Sequence, residues 1–462
     1  MVAAPAFDST RGETGADFSR IALRGLASDG GLYVPRHWPQ APADLWRDPG
    51  LAYAQRAARL MALFTGAAVP DETLSAMAER AYGDFADPAI APVTQLDGDL
   101  YLLELYHGPT LAFKDMALQL LGQIFDHLLA QSGEHRIILG ATSGDTGAAA
   151  IEACRHCAHL SVVMLHPEGR ISEVQRRLMT TVPESRIHNI AIDGSFDDCQ
   201  KIVKALLRDG HASDGRAFAA INSINLIRVL AQSVYYFSTI AALGGRTTHF
   251  CVPTGNFGNA YAAYAAGQMG APVGHVAVAT NANDILARAI GEGGYTPRQA
   301  VETLSPAMDI QKASNFERLL YDLKDRQPNA TAEAMGHVDG GEGVTLSVSE
   351  HARLQARFSA RRVDDAATAS TMAEIYRTTG RLIDPHTAVG VVTARAALAG
   401  RGGPRVVVST AHPVKFPDTV HAAIGQRPAL PERLADLMER PERMTRLPAQ
   451  TEALTAYIRT HV

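Results

Sequence analysis

Apolar and polar positions follow two different periods along the chain. The clearest helix begins after residue 114, where Met116, Leu120, Ile124 and Leu128 recur every four residues and so share one face. From residue 101 onward, stretches of this kind alternate with short apolar runs that are typical of buried strands. Alternating strands and helices are typical of parallel sheets covered by helices. We therefore predict an α/β fold with two parallel-sheet units.

The same patterns place the individual elements. Ser195 precedes Asp197 and Asp198, an arrangement that predicts a capped helix start. Further helices are predicted at residues 145–156 and 224–243. Strands are predicted at residues 101–106, 136–140, 160–165, 187–193, 248–252, 273–280 and 405–409.

The ends of the chain differ from its middle. Residues 1–90 are rich in helix signals and poor in strand signals, and the last thirty or so residues resemble a helical tail on the surface. We therefore expect a helical region at 1–90, a first α/β domain at 91–243, and a second at 244–462 that ends in helices.

The composition argues against nucleic-acid and membrane partners. The 462 residues carry 43 basic and 48 acidic side chains, a net charge of −5, without the clustered basic patch that nucleic-acid binding needs. Four cysteines are too few for a disulfide framework. We expect no secretory signal at the start of the given sequence, because it has neither a basic start nor an apolar core. Glycines interrupt the apolar stretch 260–279, so we do not expect that stretch to span a membrane. We expect a cytoplasmic protein with no nucleic-acid or membrane partner.

A single lysine stands out in the stretch 105–115 (LYHGPTLAFKD). Lys114 lies where a loop meets a helix start, beside apolar residues. Both the positive end of the helix and apolar burial disfavour its ammonium form. A lysine with a lowered pKa is the usual nucleophile for a Schiff base with a carbonyl. Taken alone, the segment also fits a solvated lysine beside Asp115.

Two glycine-containing loops predict anion sites. Residues 254–259 (TGNFGN) follow a strand and open a helix, the setting in which backbone N–H groups and the helix dipole bind phosphate. Gly255 and Gly258 would allow close approach, although a plain tight turn is the alternative. The pattern matches neither the dinucleotide fingerprint nor the nucleotide P-loop, which favours a smaller phosphate.

The second loop, residues 140–147 (GATSGDTG), has the same setting and suits a carboxylate or a second phosphate. One lysine and two anion sites match the needs of pyridoxal phosphate and an amino-acid substrate. The cofactor needs a lysine for its aldehyde and a cradle for its phosphate, and the substrate brings a carboxylate.

In combination, the motifs of this chain closely resemble those of threonine synthases of the longer bacterial and fungal form. Each motif is weakly specific, but their joint order is very specific and covers the chain nearly end to end. The matching stretches are residues 9–12 (STRG), 29–33 (DGGLY), 105–115, 141–147, 222–225 (NSIN), 253–259, 304–310 (LSPAMDI) with 314–320, 384–388 (DPHTA) and 409–416 (STAHPVKF).

The resemblance implies a fold type II pyridoxal-phosphate enzyme that converts O-phospho-L-homoserine and water to L-threonine and phosphate. It implies that Lys114 carries the cofactor as a Schiff base and that Thr410 faces the pyridine nitrogen. The implied cofactor-phosphate residues are Gly255, Asn256, Phe257, Gly258 and Asn259. The residues expected at the substrate carboxylate are Thr142, Ser143, Gly144, Asp145 and Thr146, with Ser143 also near the cofactor ring.

Several alternatives stay open at this level. Arg170, Arg176 and Arg228 are candidates for the substrate phosphate, with surface salt bridges as the alternative for each. His107 and His412 could contact the ligands or only order their loops. A phospholyase resembling threonine synthase, a serine/threonine dehydratase or a non-catalytic binder would share the lysine and the loops. The sequence does not distinguish a monomer from a dimer.

A dense group of cysteines and histidines at 154–159 suggests a metal site at first sight. Helical spacing, however, places Cys154 and Cys157 on one face and His156 on another. We therefore expect free buried thiols and no metal.

Overall fold

The computed structural model describes residues 5–142, 144–212 and 214–462. The N-terminal region is mainly helical, as predicted, and adds one small antiparallel pair of strands, β1 with β2. Its elements are β1 (Phe7–Ser9), α1 (Phe18–Arg24), β2 (Tyr33–Pro35), α2 (Asp44–Arg47), α3 (Tyr53–Thr65) and α4 (Asp71–Tyr82).

The middle of the chain alternates strands and helices, and the predicted elements are found within a few residues of their expected bounds. In chain order they are β3 (Val93–Asp97), β4 (Leu100–Glu104), α5 (Asp115–Ser132), β5 (Arg136–Ala141), α6 (Asp145–Cys154), β6 (Leu160–Pro167), α7 (Glu173–Thr180), β7 (Ile187–Asp193), α8 (Phe196–Asp209), β8 (Ala217–Ala219) and α9 (Leu226–Ala242).

The last part continues the alternation and then becomes mainly helical. Its elements are β9 (Thr248–Pro253), α10 (Gly258–Gln268), β10 (Val273–Thr280), α11 (Ile285–Glu292), β11 (Gly294–Tyr295), α12 (Phe316–Leu323), α13 (Pro328–Asp339), β12 (Val344–Thr345), α14 (Val348–Arg357), β13 (Phe358–Arg362), α15 (Asp365–Thr379), α16 (Pro385–Ala397), β14 (Arg405–Ser409), α17 (Pro417–Ile424), β15 (Thr445–Pro448) and α18 (Thr451–His461).

Two larger sheets organise these elements. The six-stranded sheet has the order β13-β10-β9-β14-β4-β3 and is parallel except for β3. The five-stranded sheet has the order β15-β7-β6-β5-β8 and is parallel throughout. Helix α9, buried along most of its length, packs against α5 and α10, which follow strands of the six-stranded sheet. The predicted α/β architecture with two parallel-sheet units is therefore present.

The sheets do not divide the chain at the boundaries expected from sequence. Strand β4, which leads to Lys114, pairs with β14 in the six-stranded sheet, although we placed it in the domain 91–243. Strand β15 returns from the C-terminal end to pair with β7, although we expected only a helical tail there. The chain therefore crosses between the sheets after β4, again between β8 and β9, and once more before β15.

Candidate active site

Three neighbouring strands of the six-stranded sheet end at the same edge. Strands β4, β14 and β9 are adjacent and parallel, so the loops that follow them emerge side by side. These loops carry Lys114, Thr410 and residues 254–259 respectively. Ligands of open α/β sheets bind outside the carboxyl ends of the strands. The fold thus brings three of the predicted motifs to one place.

Backbone hydrogen bonds join the lysine loop to the Thr410 loop. Phe113 N–H donates to the Thr410 carbonyl at 2.8 Å, and His412 N–H donates to the Leu111 carbonyl at 3.0 Å. Leu111 has a φ of +61°, an uncommon value for a branched residue, which marks a strained turn held by its surroundings. These hydrogen bonds fix the loops of Lys114 and Thr410 relative to each other.

Lys114 lies at the N-terminal end of α5 with its side chain 12% exposed. Its Nζ is 3.4 Å from Oδ2 of Asp145, which begins α6 on the five-stranded sheet side. Burial lowers the pKa of Lys114; Asp145 opposes this shift, whereas Lys415 and Arg228 add to it. The direction agrees with the predicted one, but the contribution of the cations Lys415 and Arg228 was not predicted.

The loop that precedes α6 is closed by a side chain rather than open to solvent. The Thr142 hydroxyl, in a residue only 2% exposed, accepts from Gly144 N–H at 2.9 Å and from Gly147 N–H at 2.8 Å. These two donors are thus already satisfied, which differs from the free cradle we expected. Ser143, which was also predicted to bind the substrate carboxylate, lies outside the described residues.

Asp145 also differs from the expected substrate ligand. Its carboxylate accepts from Lys415 Nζ at 2.8 Å and from Gln175 Nε2 at 2.8 Å, besides facing Lys114. Burial opposes ionisation, but Lys415 and Lys114 hold the pKa of Asp145 well below its usual range. A carboxylate cannot bind another carboxylate, so the Asp145 side chain cannot be the expected ligand and only its backbone N–H could serve there.

The loop 254–259 is shaped by protein contacts as well as by any ligand. Phe257 has a φ of +64° and is buried at the start of α10. The Asn256 carbonyl accepts from both the backbone N–H and the Nδ2 of Asn315, at 3.1 Å each. A Cβ added to Gly255 would lie 2.6 Å from the Ala307 carbonyl oxygen, so this glycine is needed for packing even without a phosphate.

Two buried polar atoms, one in the loop 254–259 and one on α9, have no hydrogen-bond partner among the described residues. Asn259 accepts from the hydroxyls of Tyr235 and Tyr236, yet its Nδ2 has no partner among the described residues. Arg228, 4% exposed on the first turn of α9, has an unpaired Nε within the described part of the chain. Burial lowers the pKa of Arg228 to about 10, which still leaves it cationic at neutral pH.

The chain matches families and solved structures over almost its full length. A family described as "Pyridoxal-phosphate dependent enzyme" matches residues 88–411. "Threonine synthase N terminus" matches residues 6–82, and "Threonine synthase, C-terminal" matches residues 387–458. A threonine synthase of Pseudomonas aeruginosa is 48% identical over 98% of each chain. The chain belongs to the threonine synthase family.

Other threonine synthases agree in sequence and in fold. The protein of that name from Saccharomyces cerevisiae is 38% identical over 91% of this chain and 90% of its own. The structure titled as pyridoxal-phosphate-bound threonine synthase from Brucella melitensis is 43% identical, covers 99% of both chains and has a TM-score of 0.96. The fold type II architecture and pyridoxal phosphate as the cofactor follow from family membership.

The residues present fit this cofactor. A partly exposed lysine with a lowered pKa suits the aldehyde, and buried donors without partners suit a phosphate. Arg228 fits an anion better than the other two arginines considered, since Arg176 is paired with Glu442 at 2.8 Å and Arg170 is exposed.

None of the described helices is long and apolar enough to span a bilayer.

Both histidines that were left open are engaged with the protein. His107 Nε2 lies 3.0 Å from Glu104 Oε2, and His412 Nδ1 accepts from Val414 N–H at 3.2 Å. Cys154 and Cys157 are free and buried, as expected.

Lys415 was not given any role from the sequence. Its position between the apolar residues Val414 and Phe416 could have indicated that the Lys415 side chain is buried. Its partners could not have been identified, because Asp145 and Thr110 are distant in sequence.

Proposed function

We propose that this chain converts O-phospho-L-homoserine and water to L-threonine and phosphate. The observation that carries the proposal is a partly exposed lysine, Lys114, within electrostatic reach of a buried arginine, Arg228, whose Nε has no partner among the described residues. The first suits an aldehyde and the second an anion. Residues 6–82 and 387–458 match the N-terminal and C-terminal regions of threonine synthases, which supports this reaction over that of a simple dehydratase.

Lys114 is the residue that would hold the cofactor. A second lysine, Lys415, lies nearby but is fully buried and donates to both Asp145 and the Thr110 carbonyl. A lysine bound by two acceptors is a poor nucleophile, whereas Lys114 is partly exposed. Residues 255–259 would hold the cofactor phosphate through backbone N–H groups and Asn259 Nδ2, and the Thr410 hydroxyl would face the pyridine nitrogen.

The substrate would lie between the two sheets. Its carboxylate would meet the backbone N–H groups of Asp145 and Thr146 at the start of α6. Its phosphate would meet Arg228, a buried cation whose Nε has no partner in the described part of the chain. The lysine loop and the phosphate loop belong to the six-stranded sheet, so the substrate would bridge the two units.

Bound pyridoxal phosphate supplies an aldehyde for the substrate amine and a ring that withdraws electrons from the α-carbon. Once the substrate amine has displaced it, Lys114 is free to take the α-proton and then to move a proton at the β-carbon. Its lowered pKa favours the neutral amine that these steps need. Phosphate would leave from the γ-carbon together with the proton lost at the β-carbon, and water would add its hydroxyl at the β-carbon and a proton at the γ-carbon. Lys114 would then return the α-proton to the α-carbon.

The reaction can be tested directly on the purified full chain. Incubation with pyridoxal phosphate and O-phospho-L-homoserine should release threonine and phosphate in equal amounts, and Lys114→Ala should release neither while remaining folded. Borohydride reduction followed by peptide mapping should place the pyridoxyl group on Lys114, and a label on Lys415 would contradict the site. Phosphate without threonine would identify a phospholyase instead.

Two further expectations accompany the reaction. We place the enzyme in the cytoplasm, where fractionation of cells should recover its activity. Light scattering on the purified protein would decide between a monomer and a dimer.

A further inference from the structure

We propose that Lys415 is a positioning residue that holds Asp145 in a fixed ion pair, so that Asp145 does not capture Lys114 as its own partner. The proposal rests on the assignment of Lys114 as the cofactor lysine. It concerns a residue that contacts neither the substrate nor the reacting atoms in the arrangement described above.

The geometry distinguishes the two lysines. Lys415 Nζ lies 2.8 Å from Asp145 Oδ1, within ordinary hydrogen-bond distance, whereas Lys114 Nζ lies 3.4 Å from Oδ2. Lys415 is fully buried in the short turn Pro413–Lys415 after β14, and its Nζ also donates to the Thr110 carbonyl at 2.7 Å. Lys415 is therefore the closer and better-fixed partner of Asp145.

The contacts of Lys415 also join the two sheets. Its backbone carbonyl accepts from the Ser172 hydroxyl at 3.3 Å, and its side chain reaches Asp145, so both contacts are with the five-stranded sheet side. Thr110, its third partner, belongs to the lysine loop and is itself held by Asp115 at 2.6 Å. Lys415 thus fixes Asp145 relative to the loop that carries Lys114.

The charged groups around Lys114 show why this matters. Asp145 faces it from α6, Lys415 from the turn after β14, and Arg228 from α9. Burial lowers the pKa of Lys114, Asp145 raises it, and the two cations lower it again. Without the charge of Lys415, Lys114 would be the only cationic partner of Asp145 among the described residues, and it would be held as an ammonium ion that reacts poorly with an aldehyde.

The test measures cofactor loading rather than turnover. Apoprotein of the full chain is mixed with pyridoxal phosphate, and the rate at which the yellow colour appears is recorded across pH. Lys415→Gln keeps an amide donor for Thr110 and Asp145 but removes the charge. We expect the midpoint of the loading profile to rise by about one pH unit, and loading below the midpoint to slow roughly tenfold.

Controls separate electrostatics from damage to the fold. The double variant Lys415→Gln/Asp145→Asn removes both charges and should return the midpoint towards that of the wild type. Lys201→Gln, on the exposed surface of α8, should leave it unchanged. If Lys415→Gln fails to fold, the double variant compared with Asp145→Asn alone still decides. Without the Asp145 charge only the direct repulsion between Lys415 and Lys114 remains, so these two midpoints should differ by less than the roughly one unit expected for Lys415→Gln, and a difference of about one unit or more would overturn the proposal.

An unchanged midpoint in Lys415→Gln would overturn the proposal while leaving the proposed reaction intact. A shifted midpoint that the Asp145→Asn change does not reverse would also overturn it. Wild-type protein that never turns yellow would instead contradict the proposed function itself. The two failures are therefore distinguishable.

Discussion

The hydroxyl of Thr142 offers the sharpest test of how the loop before α6 is built. Its oxygen accepts hydrogen bonds from both Gly144 N–H and Gly147 N–H. Thr142→Val keeps the shape of the side chain and removes that acceptor. Each buried donor left unsatisfied costs about 1–3 kcal/mol, so the two together should destabilise the loop by about 2–6 kcal/mol.

Hydrogen exchange followed by mass spectrometry is the appropriate assay, because the loss is local. Since every 1.4 kcal/mol is a factor of ten, peptides covering residues 144–150 should exchange at least tenfold faster in the variant. The KM for the substrate should rise as well, because the proposed carboxylate site lies in this loop. Cofactor retention should change little, because the cofactor elements belong to the other sheet.

The matched control is Thr142→Ser, which retains the hydroxyl and loses only a methyl group. It should preserve most of the exchange protection. If Thr142→Val exchanges as slowly as the wild type, the two N–H groups have other acceptors, and the reasoning about this loop is wrong.

Three other outcomes are expected. Gly258→Val should give colourless protein, because its Cβ would lie 3.2 Å from the Asn315 amide that holds the loop 254–259. If this variant keeps its full cofactor and loses only substrate affinity, we have exchanged the two anion sites. Burial opposes ionisation of Glu104, but hydrogen bonds from His107 and other partners outweigh it and lower its pKa to about 2. Its contribution to stability is thus present above about pH 4.5 and lost as the pH falls towards 2, so urea unfolding should show Glu104→Gln destabilised at pH 7 and much closer to wild type near pH 2. Crystal structures with and without a substrate analogue should differ by a rigid-body rotation between the two sheets, and superposition without rotation would end the idea of closure.

Local signals in the sequence were sufficient for most elements of the fold. Strand β7 and strand β14 occupy the predicted residues, and the Ser195 cap forms with Asp198 as its reciprocal partner. These features depend on residues close together in the chain, which is where periodicity and capping chemistry act. The lysine at a helix start belongs to the same class.

Features that depend on distant partners were not predictable in this way. Nothing near β4 indicates that it pairs with β14, because both are short apolar runs that fit either sheet equally well. Lys415 and Asp145 are likewise brought together only by the crossing of the chain between sheets. Thr142 was predicted as a ligand, but its hydroxyl is used within the loop, which a pattern of residue types does not reveal.

The pairing of β4 with β14 also bears on how the protein is made. Leu100 pairs with Arg405, so 305 residues (405 minus 100) must be synthesised before the centre of the six-stranded sheet can form. At about 5–20 residues per second, a ribosome needs roughly 15–60 s for that interval. During this time the edge of β4, and later also that of β9, lacks its partner β14, and such edges can pair with other chains. Because the lysine loop and the Thr410 loop are joined only once β14 is in place, a nascent chain cannot assemble its cofactor site until synthesis is nearly finished.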